Sequence, residues 1–317
     1  MTPGEHGLPE PPDDYRKYLD PRVLAKISRL DLRARLVVEG FVAGMHRSPY
    51  RGLSVEFAEH RQYAQGDDLR HLDWKVLARS DKYYIKQYEE ETNLSCVLAV
   101  DASESMDFAS EAAAMSKYDY GIALAASLAW LALQQRDSVG VAVFDERIEA
   151  FSRPSNNPAG WKTLVEELSS SSPARAGREP TTTRLRSVLD ALAERLAKRS
   201  LIVLISDLFD EPDEILRGLQ HLRYRKHELI VFALMDPAEL EFPYTSATLF
   251  EGLERTGRLL TEPKRLRRRY LDEVAAHTEA LRRRCRQMNI DFQVFDTSRP
   301  LDVALSAYLA TRSATIV

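Results

Sequence analysis

Cys96-Val97-Leu98-Ala99-Val100-Asp101-Ala102-Ser103-Glu104-Ser105 is a continuous apolar run followed by Asp-x-Ser-x-Ser, the carboxylate of Asp101 and the hydroxyls of Ser103 and Ser105 in a single loop. Five consecutive apolar residues bounded by a polar loop read as a strand buried on both faces, the kind found in parallel sheets. The loop that follows offers only hard oxygen donors, which suit Mg²⁺ and carry little nucleophilic character of their own.

Outward from this stretch, short apolar runs alternate with helical segments. Leu94–Val100, Ser138–Phe144, Leu201–Ile205, Leu229–Leu234 and Ile290–Phe295 read as strands, with Ile148–Phe151 as an added edge strand. Helical spacing appears over Lys117–Gln135, Trp161–Leu168, Leu185–Leu196, Ile215–Leu222, Lys264–Met288 and Leu301–Leu309. A hairpin-like stretch covers Ala247–Leu260. This alternation predicts an α/β fold, a doubly wound and mostly parallel sheet, whose ligands bind beyond the carboxyl ends of the strands. Upstream, Pro21 to Gly44 has helical periodicity, with Asp20 as N-cap and Pro21 at the first helical position. The sequence thus divides into a Pro-, Gly- and acid-rich leader read as disordered (1–14), an N-terminal helix with an irregular or β segment (15–91), and the α/β domain (92–317), whose hairpin and long helix lie near 247–288.

Bulk properties narrow the function. The chain has 317 residues and a formal net charge of −4, so overall electrostatics do not favour a polyanion partner. Its two cysteines, Cys96 and Cys285, make no disulfide framework and read as reduced core residues of a cytoplasmic protein. No apolar stretch reaches the ~18 residues of a membrane span, and the leader lacks the apolar core of a signal peptide. The histidines His60, His71, His221, His227 and His277 show no ligand spacing, and with no His/Cys cluster Zn²⁺ is disfavoured. The basic run Lys264, Arg265, Arg267, Arg268 and Arg269, with Arg282, Arg283, Arg284 and Arg286, invites a nucleic-acid reading. An apolar stripe on the same helix (Leu266, Tyr270, Val274, Leu281, Cys285) and the interspersed Asp272, Glu273 and Glu279 argue instead for the solvated sides of a packed helix.

Three loops gather the candidate chemistry. Asp101, Ser103 and Ser105 follow the first strand, Thr183 precedes a helix, and Asp207 directly follows Leu201–Ser206. Strands ending at Asp101 and Asp207 place two carboxylates on one edge of a parallel sheet. Asp-x-Ser-x-Ser taken alone is equally compatible with an Asx-turn or a helix N-cap.

The set resembles the metal-ion-dependent adhesion site of von Willebrand factor A domains. That resemblance implies Ser103, Ser105 and Thr183 as direct Mg²⁺ (or Mn²⁺) ligands, Asp101 and Asp207 in support, and an acidic side chain of a partner completing the shell. Two departures stand out: Glu179-Pro180 replaces the usual Gly-Gly before the threonines, and Leu208 rather than Gly follows Asp207. Upstream, Gly52-x-Ser54-x-Glu56-Phe57, Arg61-x-Tyr63, Gly66-Asp67-Asp68-x-Arg70, Leu72-Asp73-Trp74 and Ala78-Arg79 resemble a bacterial family of unknown function encoded beside MoxR-type AAA+ ATPases. Glu241-Phe242-Pro243, Tyr270, His277, Leu281-Arg282, Cys285 and Asp291 extend the likeness, which spans roughly Asp31 to Arg312. It implies a non-enzymatic adaptor acting with such an ATPase, in chaperone-like assembly or metal insertion, on an unidentified client protein. Asp67, Asp68, Arg70, Asp73, Trp74 and Arg79 could form a partner-binding cluster, but their interleaved charges favour a salt-bridged brace.

Two alternatives compete. A Mg²⁺-dependent phosphatase or nuclease on this topology would want Asp-x-Asp after the first strand, and Ser103 stands where the general acid would be. No Gly-x-x-x-x-Gly-Lys-Ser/Thr loop is present for nucleotide hydrolysis. A scaffold with a degenerate, empty site is the other.

Overall fold

The computed structural model describes residues 21–26, 29–30, 32–38, 60–62, 84–86, 94–157, 160–170, 185–246, 248–251 and 258–301. Contacts divide the chain into two units, His46–Asn93 and Met1–Met45 together with Leu94–Val317. In the smaller unit, β1 (His60–Gln62) pairs antiparallel with β2 (Tyr84–Lys86), His60 opposite Lys86. Asp67, Asp68, Arg70, Asp73, Trp74 and Arg79 lie outside the described residues, as do Thr183 and the helix expected over 301–309 beyond its first residue.

The larger unit is built on a six-stranded sheet: β3 (Ser95–Asp101), β4 (Ser138–Phe144), β5 (Ile148–Phe151), β6 (Leu201–Ser206), β7 (Glu228–Met235) and β10 (Asp291–Asp296). The spatial order is β10-β7-β6-β3-β4-β5. Every neighbouring pair is parallel except β4–β5, an antiparallel hairpin at one edge. This is a doubly wound α/β arrangement. The chain winds outward from β3 to one edge, then returns to β6 and winds to the other, so β3 and β6 flank the point where the strand order reverses.

Period-two alternation within the central strands sorts their side chains onto two cores. Cys96, Leu98 and Val100 of β3 face a cluster covered by α1 (Lys117–Gln134) and α2 (Trp161–Ser170). Leu24, Leu30, Ala34, Val37 and Val38 join the same cluster. These five residues, which the sequence groups with 15–91, therefore pack into the α/β core, the last three through the apolar face of the helical residues 32–38. Val97 and Ala99 face the opposite cluster, covered by α3 (Leu185–Arg195) and α4 (Pro212–Tyr224), with Leu281 and Cys285 of a longer helix. Complete burial of such aliphatic side chains stabilises by ~1.5–3 kcal/mol each before chain entropy is counted, which explains why these strands carry no polar alternation.

After β7 the chain forms a short helix, α5 (Pro237–Glu241), then the hairpin β8 (Thr248–Glu251) with β9 (Arg258–Thr261), then α6 (Pro263–Gln287). Only Pro263, Leu281 and Cys285 of α6 are fully buried, so its arginines line solvated faces, as the stripe pattern predicts. Both cysteines are buried and unbridged, and burial pushes the Cys285 thiol up to about 12.

Candidate functional site

The parallel pairing of β3 with β6, Val100 opposite Ile205, carries the chain ends that follow them to the same edge of the sheet. Asp101 closes β3 and Asp207 directly follows β6, so both carboxylates stand at the reversal point of the strand order. Asp101, Ser103, Ser105, Ser206 and Asp207, with Leu185, Leu208, Phe209 and Asp210, line one cavity there. Leu185, two residues beyond Thr183, anchors the start of α3 by donating its backbone N–H to Asp210 Oδ2 at 3.0 Å.

Asp101 is held on both oxygens. Oδ1 accepts the Ser103 backbone N–H at 2.9 Å, an Asx-turn, and Oδ2 accepts the Ser206 hydroxyl at 2.5 Å. Its side chain is almost wholly buried, and burial, with Asp207 adding repulsion, pushes its pKa up to about 7 against these hydrogen bonds. Ser103 precedes the 3₁₀ turn Glu104–Asp107 as its cap, yet its hydroxyl makes no capping bond. It lies instead 3.1 Å from the Ser105 hydroxyl. The two bland readings of Asp-x-Ser-x-Ser therefore part: the Asx-turn is present, and the side-chain cap is not.

Ser206 also accepts the Leu208 N–H at 3.0 Å. Leu208 adopts φ 59°, the left-handed region in which a glycine is at ease. Here a leucine takes the strained conformation with its side chain buried in the cluster under α3 and α4, and its carbonyl contacts His277 Nε2 at 3.2 Å. The departure Asp207-Leu208 thus keeps a glycine-like turn.

Sequence reasoning missed Lys117, the first residue of α1 and fully buried. Its Nζ donates to Asp207 Oδ2 at 2.8 Å and to Glu239 Oε1 at 2.7 Å, and lies over the Phe209 ring at 4.9 Å. Burial works against the ammonium, but Asp207 and Glu239 outweigh it and hold the group above its usual range. The other oxygen of Glu239 accepts the Asp236 N–H at 2.7 Å, closing a capping box on α5, and Asp236 Oδ2 accepts the Ser110 N–H at 2.9 Å. One signal was available in the sequence: a lysine in the first turn of a helix opposes the macrodipole and calls for a compensating partner.

The donors present suit a hard divalent cation. Of the groups that line the cavity, the Asp101 and Asp207 carboxylates and the Ser103 and Ser105 hydroxyls offer oxygen ligands and no sulfur or nitrogen ligand, and 3.1 Å between the oxygens of Ser103 and Ser105 is close to the ~3 Å edge of an octahedron with ~2.1 Å bonds. Among the described residues no cluster of three or more His, Cys, Asp or Glu is placed to hold a metal, so an ion here would depend on hydroxyls, water and an outside ligand.

Fold and site together define an open, doubly wound α/β protein with an oxygen-lined rim at its strand-order reversal. More narrowly, the chain belongs to the family described as protein of unknown function DUF58, whose model matches residues 59–280. It is 27% identical over 252 residues to uncharacterized proteins of Mycobacterium tuberculosis and Mycobacterium bovis, covering 74% of this chain and 72% of theirs. Among solved structures it is similar to the conserved hypothetical protein BatB from Bacteroides thetaiotaomicron (14% identity, 70% of this chain and 99% of that one, TM-score 0.48). It is also similar to an aerotolerance-related membrane protein from Bacteroides fragilis (17% identity, 68% and 96%, TM-score 0.46). The fold assignment rests on strand order and register. Among the described residues no helix is long and apolar enough to cross a membrane.

Proposed function

We propose that this protein is a non-enzymatic interaction module whose rim, through Ser103, Ser105, Asp101 and Asp207 with Thr183, two positions before α3 in sequence, holds Mg²⁺ or Mn²⁺ and captures a carboxylate of a partner. The observation that carries this reading is the convergence of both strand-end carboxylates and both serine hydroxyls at the strand-order reversal. An octahedral ion held by so few protein oxygens keeps open positions that water or a partner's side chain fills. Acting with a MoxR-type AAA+ ATPase on a client protein, in the cytoplasm, is the cellular role we attach to it, on the resemblance of the upstream motifs.

The test is a pull-down from the source cells with the full chain as bait, with and without EDTA. Capture that EDTA and the Ser103→Ala/Ser105→Ala double variant both abolish is the expected result. Capture that survives both overturns the metal mechanism. Turnover of phosphate esters or nucleic acid that Asp101→Asn abolishes would replace the interaction reading with the enzymatic one.

A further inference from the structure

Lys117 presents a cation to the same carboxylate that the rim would offer to a metal. Its ammonium and the Asp207 carboxylate are both out of solvent, at 0% and 2% exposure, 2.8 Å apart. The lysine's other anionic partner, Glu239, belongs to α5 after β7 and is only 13% exposed. The lysine stem is enclosed, and Phe209 and Phe108 stack along its head. The ammonium therefore has two anions within reach, and it is divided between them.

Placement argues that this is not helix stabilisation. Lys117 is the first residue of α1, where the helix dipole disfavours a cation, and Ser116 already caps that end by accepting the Asp119 N–H at 3.1 Å. Ser103, Ser105 and Asp207 line the rim cavity and Lys117 does not, so the ammonium neutralises Asp207 without itself lining the cavity.

The geometry points to Lys117 as a built-in competitor: its ammonium occupies Asp207 and sets how tightly a divalent ion binds the rim, with Glu239 drawing the ammonium away. This rests on the metal reading of the rim. Charge density decides the direction. A divalent ion next to Asp207 meets a carboxylate already paired with one positive charge, so removing that charge strengthens the ion's attraction, and concentrating it on Asp207 weakens it. Lys117 is on this account a positioning and specificity residue that never touches the partner.

The full chain is titrated with Mn²⁺, and bound metal is read by electron paramagnetic resonance of the free ion and by calorimetry. Lys117→Met is expected to bind Mn²⁺ about tenfold more tightly than the wild type, and Glu239→Gln several-fold more weakly, about threefold or more. A lysine that merely braces the loops would make both variants weaker, because either change loosens the rim. Wild-type binding with unchanged or weaker binding in Lys117→Met overturns the competition and leaves the metal site standing. Should Lys117→Met fail to fold by circular dichroism, Lys117→Gln, which also removes the charge but keeps a polar head between Asp207 and Glu239, takes its place: tighter binding supports the competition, and equal or weaker binding overturns it. Mn²⁺ binding to neither the wild type nor folded Lys117→Met overturns the metal reading itself. Binding by Lys117→Met alone supports both.

Discussion

The Ser206 hydroxyl donates to Asp101 Oδ2 at 2.5 Å, bridging the two central strands at the point where the strand order reverses. The same oxygen accepts the Leu208 N–H, so one serine couples the first rim loop to the turn that carries Asp207.

Ser206→Ala should therefore remove two buried hydrogen bonds at once. The orphaned Asp101 oxygen and Leu208 N–H are expected to cost about 1–3 kcal/mol of stability. Urea denaturation with an unchanged slope and a lower midpoint is the expected outcome. An unshifted midpoint would show that water replaces the hydroxyl without loss.

Stability should also depend on pH through Asp101. Its folded pKa lies near 7 against an ordinary 3.8, so the folded state retains a proton that the unfolded chain releases. This group's contribution is complete below 3.8 and is lost as pH rises to about 7, a slope of at most about 1.4 kcal/mol per pH unit for one proton. Glu239, raised by burial, acts in the same direction, whereas Lys117, held above 10.5, stays charged throughout. Denaturation midpoints from pH 4 to 8 in EDTA should fall across this window, and Asp101→Asn should flatten the fall. An equal slope in the variant would assign it elsewhere.

Divalent cations should raise the melting temperature of the wild type. Saturating the rim at a hundredfold excess over Kd is worth about 2.7 kcal/mol by mass action. Differential scanning fluorimetry in Mg²⁺ or Mn²⁺, reversed by EDTA, measures it. Ser103→Ala/Ser105→Ala is expected to melt at the metal-free temperature whatever the cation concentration.

Gly140 of β4 offers a test of the fold away from the rim. A Cβ there would lie 2.4 Å from the Ser152 carbonyl oxygen and 2.8 Å from the Pro154 nitrogen, both backbone atoms that cannot rotate aside. Gly140→Ala should destabilise by about 1–3 kcal/mol, or more if the edge strand detaches. Gly218 of α4 meets the flexible Leu189 side chain at 2.8 Å, so Gly218→Ala should cost less. Parallel denaturation of both variants checks the order.

Much of this fold is written in local pattern. Runs such as Leu201–Ile205 are apolar throughout because both faces of β6 are covered, and no amphipathic strand or short helix fits them as well. Ser138–Phe144 and Ile148–Phe151 occupy the ranges their apolar runs mark out. The helix α5 was less legible: Pro237–Glu241 spans little more than one turn, too short to show periodicity, although Asp236 and Glu239 carry capping-box spacing.

The site divides in the same way. Asp101 and Asp207 could be placed on one edge from the sequence, because parallel strands bring their carboxyl ends together wherever they lie in the chain. The partners that tune them could not. Ser206 reaches Asp101 across 105 positions of sequence, Lys117 reaches Asp207 across 90, and Glu239 lies 122 from Lys117. Sequence alone determined the oxygen chemistry of the rim and the strands that present it, since both follow from residue type and local periodicity. Only the tertiary structure decided that Asp207 faces a buried ammonium and that Leu208 turns left-handed beside it. Those outcomes depend on which loops the crossover connections bring into contact, and no local spacing records that.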